Sequence, residues 1–184
     1  MNLQKVLTHS AKDLAPVSFA AVMATGIVSI AAQGLGFNLL AQILFIVNVL
    51  SFLWLSSLWV IRFCLWRPMI TEDLDNPHKV PGFLTLVAGT NVLANQSLIV
   101  GELQNLFFYL GLLGLVLWSV FAYLVPYRAI VSGQKTEAII PVTGAWLLLA
   151  VATQSVSVFL SNYSALRGGI EGAPYLLSSF IFFL

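Results

Sequence analysis

The sequence predicts an all-α integral membrane protein built of helical hairpins, and two observations lead to this fold class. Of its 184 residues, 59% are hydrophobic and only 8% are charged, whereas soluble domains have about 45–50% apolar and about 25% charged residues. The mean hydropathy of +0.95 comes from separate apolar runs. Most of these runs reach the length of roughly 20 residues that a helix needs to cross a bilayer. We therefore expect a polytopic membrane protein.

Five apolar runs have spanning length, and a sixth is shorter. The five cover residues 14–35, 39–66, 83–100, 106–131 and 139–163. The sixth covers residues 174–184, which at about 1.5 Å per residue reach only halfway across a ~30 Å hydrocarbon core. A helix that ends inside hydrocarbon leaves its last carbonyl groups unpaired, so we expect the natural polypeptide to continue. Residues 1–184 are predicted to be a single transmembrane domain, the N-terminal part of a longer protein.

The distribution of basic residues predicts the orientation of the chain. Those on the side of the N-terminus are Lys5, Lys12, Arg62, Arg67, Lys79, Arg128 and Lys135. The opposite side has only Arg167, so the positive-inside rule places the N-terminus in the cytoplasm of a multi-pass plasma-membrane protein. The outer connections at residues 33–38 and 101–105 are short, whereas the inner loop around residues 71–79 is longer. The spans are thus expected to form hairpins.

The polar composition argues against several functional classes. With eight Lys and Arg against seven Asp and Glu, the chain has no basic footprint for nucleic acid. The single cysteine, Cys64, and two histidines outside the apolar runs do not form a metal or haem motif, so we expect neither a metal nor a cofactor. No Ser/His/Asp or Cys/His set is placed for catalysis, and the chain is predicted not to be an enzyme.

The third run has an unusual polar face. In PGFLTLVAGTNVLANQ, residues 81–96, the side chains of Thr85, Asn91, Asn95 and Gln96 fall within an arc of roughly 160° on a helix. An unsatisfied amide in hydrocarbon costs several kcal/mol, whereas a hydrogen bond between membrane helices contributes about 0.6 kcal/mol. We interpret this face as the lining of a water-filled pathway, and helix packing is the alternative.

Related polar stripes occur on the first and fifth runs. Their residues at helical spacing are Thr25, Ser29, Thr153, Gln154 and Ser157. The second and fourth runs are built mainly of bulky apolar residues, so the odd-numbered runs are predicted to be inner helices that line the pathway. For Thr25 and Ser29, packing and a pathway role are equally compatible with the sequence. For the small residues Gly111 and Gly114, packing is favoured because small side chains let helices approach closely.

Three sequence blocks resemble one family of membrane transporters. The blocks are FAAVMATGIVS at residues 19–29, PGFLTLVAGTNVLANQ at residues 81–96 and AVATQSVSVF at residues 150–159. They are similar to the tellurite-resistance/dicarboxylate transporter family, which includes slow anion channels, tellurite-resistance channel homologues and malic acid transport proteins. The resemblance implies ten helices in five hairpins around a central anion pore formed by the odd helices. About five and a half of these helices would be present here, and the phenylalanine that plugs the family's pore would lie beyond this chain.

The resemblance leaves substrate and mechanism open. It implies channel-like transport of small anions, either C4-dicarboxylates such as malate or inorganic anions. No Asp or Glu lies in the middle of a run, which argues against cation pathways and proton relays. A proton-coupled dicarboxylate carrier and a sulfite or tellurite-related efflux protein are alternatives, and a structural membrane subunit is an alternative outside transport. The expected partners are the lipid bilayer and a small anion, and a homo-oligomer is compatible with the sequence.

Overall fold

The computed structural model describes residues 14–136 and 144–166, and the side chains of residues 14–131 and 144–166. The α-helices in these ranges are α1 (Ala20–Gly34), α2 (Asn38–Leu65), α3 (Arg67–Asp75), α4 (Leu84–Ile99), α5 (Gln104–Thr136) and α6 (Leu147–Leu166). The 3-10 turns Pro16–Phe19, Val80–Phe83 and Gly144–Trp146 lead directly into α1, α4 and α6. All regular structure in the described residues is helical, which confirms the predicted fold class.

Four helical stretches are long and apolar enough to cross a membrane. They are Pro16–Gly34, Asn38–Leu65, Gln104–Val131 and Gly144–Leu166. These stretches correspond to the first, second, fourth and fifth predicted runs, although residues 139–143 of the fifth run lie outside the described residues, as does the sixth run. Large apolar side chains point outward from them, including Leu50, Leu53 and Val60 on α2. Such an apolar outer surface is what a helix needs in lipid.

The third predicted run is the shortest of the expected spans and is centrally placed. Its helix α4 has 16 residues, about 24 Å at 1.5 Å per residue, and the preceding 3-10 turn adds about 8 Å at 2 Å per residue. Most of α4 is buried, and it packs against α1, α5 and α6. That α4 crosses the membrane stays a prediction, because its length alone does not establish a span.

Burial separates the odd runs from the even runs. We compared the most apolar 18 residues of each spanning stretch. Buried residues make up 28% of these in Pro16–Gly34 and 33% in Gly144–Leu166, but only 11% in Asn38–Leu65 and 17% in Gln104–Val131. With α4 at the centre, the first, third and fifth runs are the more buried ones. This agrees with the prediction of inner odd helices and outer even helices.

The connections at residues 33–38 and 101–105 are tight turns, and the sequence predicted that they are short. At the end of α1, the N–H of Phe37 donates to the carbonyl of Ala32 at 2.9 Å, and Gly36 between them has a φ of +84°. This pattern closes a helix on a left-handed residue, for which glycine is favoured because it has no Cβ. At the second turn, Glu102 adopts a φ of +54° between α4 and α5. Both hairpins therefore turn over within a few residues.

The inner connection contains a helix that the sequence analysis did not predict. Residues 67–75 of this segment form α3, with Pro68 in its first turn, where a missing N–H costs no intrahelical bond. Asp73 of α3 is buried, and its carboxylate lies 2.5 Å from the guanidinium of Arg62 and 2.8 Å from the ammonium of Lys79. These ion pairs hold α3 against the end of α2.

Two glycines of α5 permit close helix contacts. A Cβ added at Gly111 would lie 1.9 Å from a ring carbon of Phe159 on α6, and one added at Gly114 would lie 2.3 Å from Oδ1 of Asn91 on α4. Any side chain at these positions would displace its neighbour. The packing role predicted for both glycines is confirmed.

Candidate functional site

The polar face of α4 contains three carboxamides that hydrogen-bond to neighbouring helices, and two of them pair with other amides. Asn48 of α2 donates through Nδ2 to Oε1 of Gln96 at 2.6 Å, and both residues are fully buried. Asn162 of α6 donates through Nδ2 to Oδ1 of Asn95, also at 2.6 Å. Asn95 is itself only 4% exposed. In the described part of the chain, the predicted pathway residues of α4 therefore lie in polar contacts between helices.

Two further predicted residues of α4 are buried near the same interfaces. Asn91 donates through Nδ2 to the hydroxyl oxygen of Ser155 on α6 at 3.2 Å. The hydroxyl oxygen of Thr85 lies 2.8 Å from the carbonyl oxygen of Gly82 and 3.2 Å from that of Pro16. Thr85 thus joins the start of α4 to the segment that precedes α1.

The predicted residues of α1 have different environments. Ser29 is fully buried, and its hydroxyl donates to the carbonyl oxygen of Ala41 on α2 at 2.8 Å. Thr25, four residues earlier, is only partly buried. Ser29 therefore contributes to the contact between α1 and α2, whereas the position of Thr25 is compatible with either role considered for it.

The predicted residues of α6 lie on its inner side. The hydroxyl of Thr153 donates to the carbonyl of Leu149 at 2.9 Å and is 3.2 Å from the indole nitrogen of Trp118 on α5, from which it accepts. Gln154 is partly buried and Ser157 is buried. Thr153 of this stripe therefore faces α5.

Asn91, Asn95 and Gln96 of α4 form a carboxamide cluster. This cluster and its partner Asn48 keep unused hydrogen-bonding capacity. Nε2 of Gln96, Oδ1 of Asn48 and Oδ1 of Asn91 are buried and have no hydrogen-bond partner among the described residues. A buried polar atom without a partner costs about 1–3 kcal/mol. The Nε2 group of Gln96 carries N–H donors. An anion beside it would accept a hydrogen bond from this group, which no described residue does.

Cavities occur elsewhere in the described structure. One of about 620 Å³ lies where α2 ends and α1, α4 and α6 begin, and its charged lining residues are Arg62, Glu72, Asp73 and Lys79. Another of about 390 Å³ lies between the start of α5 and the end of α6, beside Phe108. Neither is lined by a residue of the predicted pathway, so the pore lining stays a prediction.

Three partners of the cluster were missed by the sequence analysis as pathway residues: Asn48, Ser155 and Asn162. Asn48 interrupts an otherwise lipid-facing helix, which is a signal that could have been used, since an isolated amide in an apolar run needs a partner. Ser155 and Asn162 are seven residues apart and share one face of α6. In the part of the chain that the structure describes, no three His, Cys, Asp or Glu side chains converge as a metal site requires.

Comparison with known proteins identifies one match. A family model described as the voltage-dependent anion channel matches residues 13–184. The matched region contains all the described helices and the three sequence blocks noted above. Searches of curated proteins and of solved structures find no match.

Proposed function

Because the chain belongs to the voltage-dependent anion channel family, we propose that it conducts small anions through a pore lined by its odd-numbered spans. Anion transport across a membrane is the general activity of this family, and the match confirms the family predicted from the three sequence blocks. The proposed substrates are C4-dicarboxylates such as malate or inorganic anions. We also propose a plasma-membrane location, a cytoplasmic N-terminus and no catalytic activity.

The observation that supports this proposal most directly is the buried Nε2 group of Gln96, which has no partner among the described residues. Gln96 lies on α4, the most enclosed helix of the described bundle. Neutral amide donors can replace part of the water around an anion without binding it as tightly as a fixed cation would, and weak binding is needed for conduction. The amides of Asn91 and Asn95 would add donors along the same helix.

An anion can reach these donors only if the present amide pairs open. The Asn48–Gln96 and Asn95–Asn162 hydrogen bonds connect α4 to α2 and α6. Bonds of this kind between membrane helices contribute about 0.6 kcal/mol on average. The donors of these two bonds are the Nδ2 groups of Asn48 and Asn162. An anion in place of the accepting amide oxygens would give these donors a stronger, charge-assisted hydrogen bond. We therefore propose that the amides exchange partners with the passing anion.

The placement of acidic residues favours a channel over a proton-coupled carrier. The described acidic residues are Glu72, Asp73, Asp75 and Glu102. The first three lie in or at the end of α3, and Glu102 lies in the turn between α4 and α5. Proton relays across membranes use carboxyl groups within the spans. None of the described spans contains one.

Transport in proteoliposomes that contain the full-length protein tests this proposal. With an imposed nitrate, chloride or malate gradient, a channel gives an electrical potential that follows the anion gradient alone. Uphill accumulation of the anion driven by a proton gradient would instead identify a coupled carrier. No flux of any of the three anions would favour a structural subunit.

Replacement of the unused donor is the matched test at residue level. Gln96→Leu should reduce anion flux, because it removes the amide and leaves a side chain of similar size. Leu98→Met, a change on the apolar side of the same helix, is the control and should leave the flux unchanged. Equal flux in wild type and Gln96→Leu would contradict a role of this amide in the pathway.

A further inference from the structure

Three helices begin around the cavity of about 620 Å³ at the basic end of the bundle, which we define as the end that contains Arg62, Lys79 and Arg128. Its lining includes residues 14–17, which precede and begin the 3-10 turn before α1, and Gly82, in the turn before α4. The third contribution comes from Ala145 and Leu148, at the start of α6. The three helices that begin here, α1, α4 and α6, belong to the first, third and fifth runs, which also carry the polar stripes.

The helix starts give the cavity a positive electrostatic character. The first turns of a helix have N–H groups without intrahelical acceptors, and the helix dipole adds the equivalent of about +0.5 charge at that end. None of the 3-10 turns and none of the helices α1, α4 and α6 has an acidic residue in its first turn. No acidic side chain of these turns therefore offsets their positive ends.

The charged side chains of the cavity balance one another. Arg62 and Lys79 are basic, and Glu72 and Asp73 are acidic. Asp73 is buried and accepts from both basic side chains, with Lys79 at 2.8 Å. Since these charges cancel, the helix starts decide the sign of the field.

Hydrogen-bond donors remain at this site. The side chain of Lys79 is 54% exposed, and its ammonium, which has three donors, donates to Asp73. Arg62 lines the cavity and is only 4% exposed, and its Nε has no hydrogen-bond partner among the described residues. A buried guanidinium with an uncommitted donor is a second feature, independent of the helix starts, that suits an anion.

We propose that this cavity is an anion-binding site at the cytoplasmic mouth of the transport pathway. A small carboxylate or inorganic oxyanion binds there to Lys79 and to the starts of α1, α4 and α6, and the Arg62 guanidinium offers its uncommitted Nε donor behind them. This inference rests on the proposed function, because the anion bound here is the one that is transported. Glu72, on the exposed side of α3, weakens the binding by repulsion.

Currents in inside-out patches with the full-length protein test the site. Nitrate is varied on the cytoplasmic face, and the half-saturating nitrate concentration is measured. Lys79→Gln should raise this concentration about two- to five-fold, the size expected for loss of one partly exposed charge. Glu72→Gln should lower it by a similar factor. Both side chains are exposed, and Asp73 keeps its buried partner Arg62 when Lys79 is replaced, so we expect both variants to fold.

Arg128→Gln is the matched control. Arg128 lies at the same end of the bundle, where it pairs with Asp75 at 2.8 Å, but it does not line the cavity. Its replacement should leave the half-saturating concentration unchanged. Equal shifts in Lys79→Gln and Arg128→Gln, or shifts of the same sign in Lys79→Gln and Glu72→Gln, would overturn the site while leaving anion transport intact. A full-length protein that carries no nitrate, chloride or malate current would overturn the proposed function as well.

Discussion

The amide nitrogen of Asn48 on α2 lies 2.6 Å from the amide oxygen of Gln96 on α4, and both side chains are fully buried. This bond joins an outer, lipid-exposed helix to the central one. It also explains why α2 contains an asparagine in the middle of an apolar helix. An amide that faced lipid without a partner would cost several kcal/mol.

Removal of both members of this pair should cost less stability than the two separate removals added together. Asn48→Leu leaves the carbonyl of Gln96 unpaired, at a cost of about 1–3 kcal/mol. The double variant Asn48→Leu/Gln96→Leu leaves no unpaired amide, so its loss of stability should be smaller than the sum of the two single losses. Thermal unfolding in detergent measures all four proteins, and strictly additive losses would show that the two side chains do not interact.

Accessibility distinguishes a pathway from dry packing on α4. In a Cys64→Ser background, Gln96→Cys and Asn95→Cys should react with a small hydrophilic thiol reagent if anions and water reach these positions. Leu93→Cys is the matched control, since Leu93 is 2% exposed, close to the 0% of Gln96 and the 4% of Asn95. A lack of reaction at all three positions would favour the packing alternative.

The contact between α5 and α6 depends on the absence of a side chain at residue 111. Gly111→Ala should lower the free energy of unfolding by about 1–3 kcal/mol, because its Cβ overlaps the ring of Phe159. Gly34→Ala is the control, since a Cβ at Gly34 meets nothing within 4 Å. Combining Gly111→Ala with Phe159→Leu should recover part of the loss. Unfolding midpoints equal to wild type in Gly111→Ala would argue against this close contact.

Asp73 and Asp75, two of the three carboxylates of α3, should differ strongly in their contribution to stability. Asp73→Asn removes the counter-charge of the buried Arg62, which should cost about 3–5 kcal/mol. Asp75→Asn breaks only an exposed pair with Arg128, for which we expect less than about 1 kcal/mol. Thermal unfolding of the two variants tests this difference, and similar midpoints would contradict the structural role of Asp73.

The orientation of the bundle can be read from the single cysteine. Cys64 is exposed one residue before the end of α2, close to the basic residues of that end. A membrane-impermeant thiol reagent should therefore label it in inside-out vesicles and not in right-side-out vesicles. Labelling from the outer face alone would reverse the proposed orientation and the sidedness of the cavity at the basic end.

The connection between α2 and α4 contains a helix that the local sequence does not predict. The sequence predicts a longer loop around residues 71–79. The structure places a helix over residues 67–75, with Asp73 inside the protein. Burial of this carboxylate depends on its pair with the buried Arg62, which comes from α2. Local composition carries no information about such a partnership.

The sequence by itself determined the membrane class, the approximate limits of the described spans, the two short turns and the family. These are local properties, since the thickness of a bilayer sets the length of an apolar run and a short motif is readable without knowledge of its neighbours. Helical periodicity also identified the polar face of α4. Only the tertiary structure decided that Gln96 pairs with Asn48, that Asn95 pairs with Asn162, and that three helix starts surround one cavity. Periodicity gives the direction in which a side chain points from its own helix, whereas its partner depends on which helix packs there and at what height along the bundle.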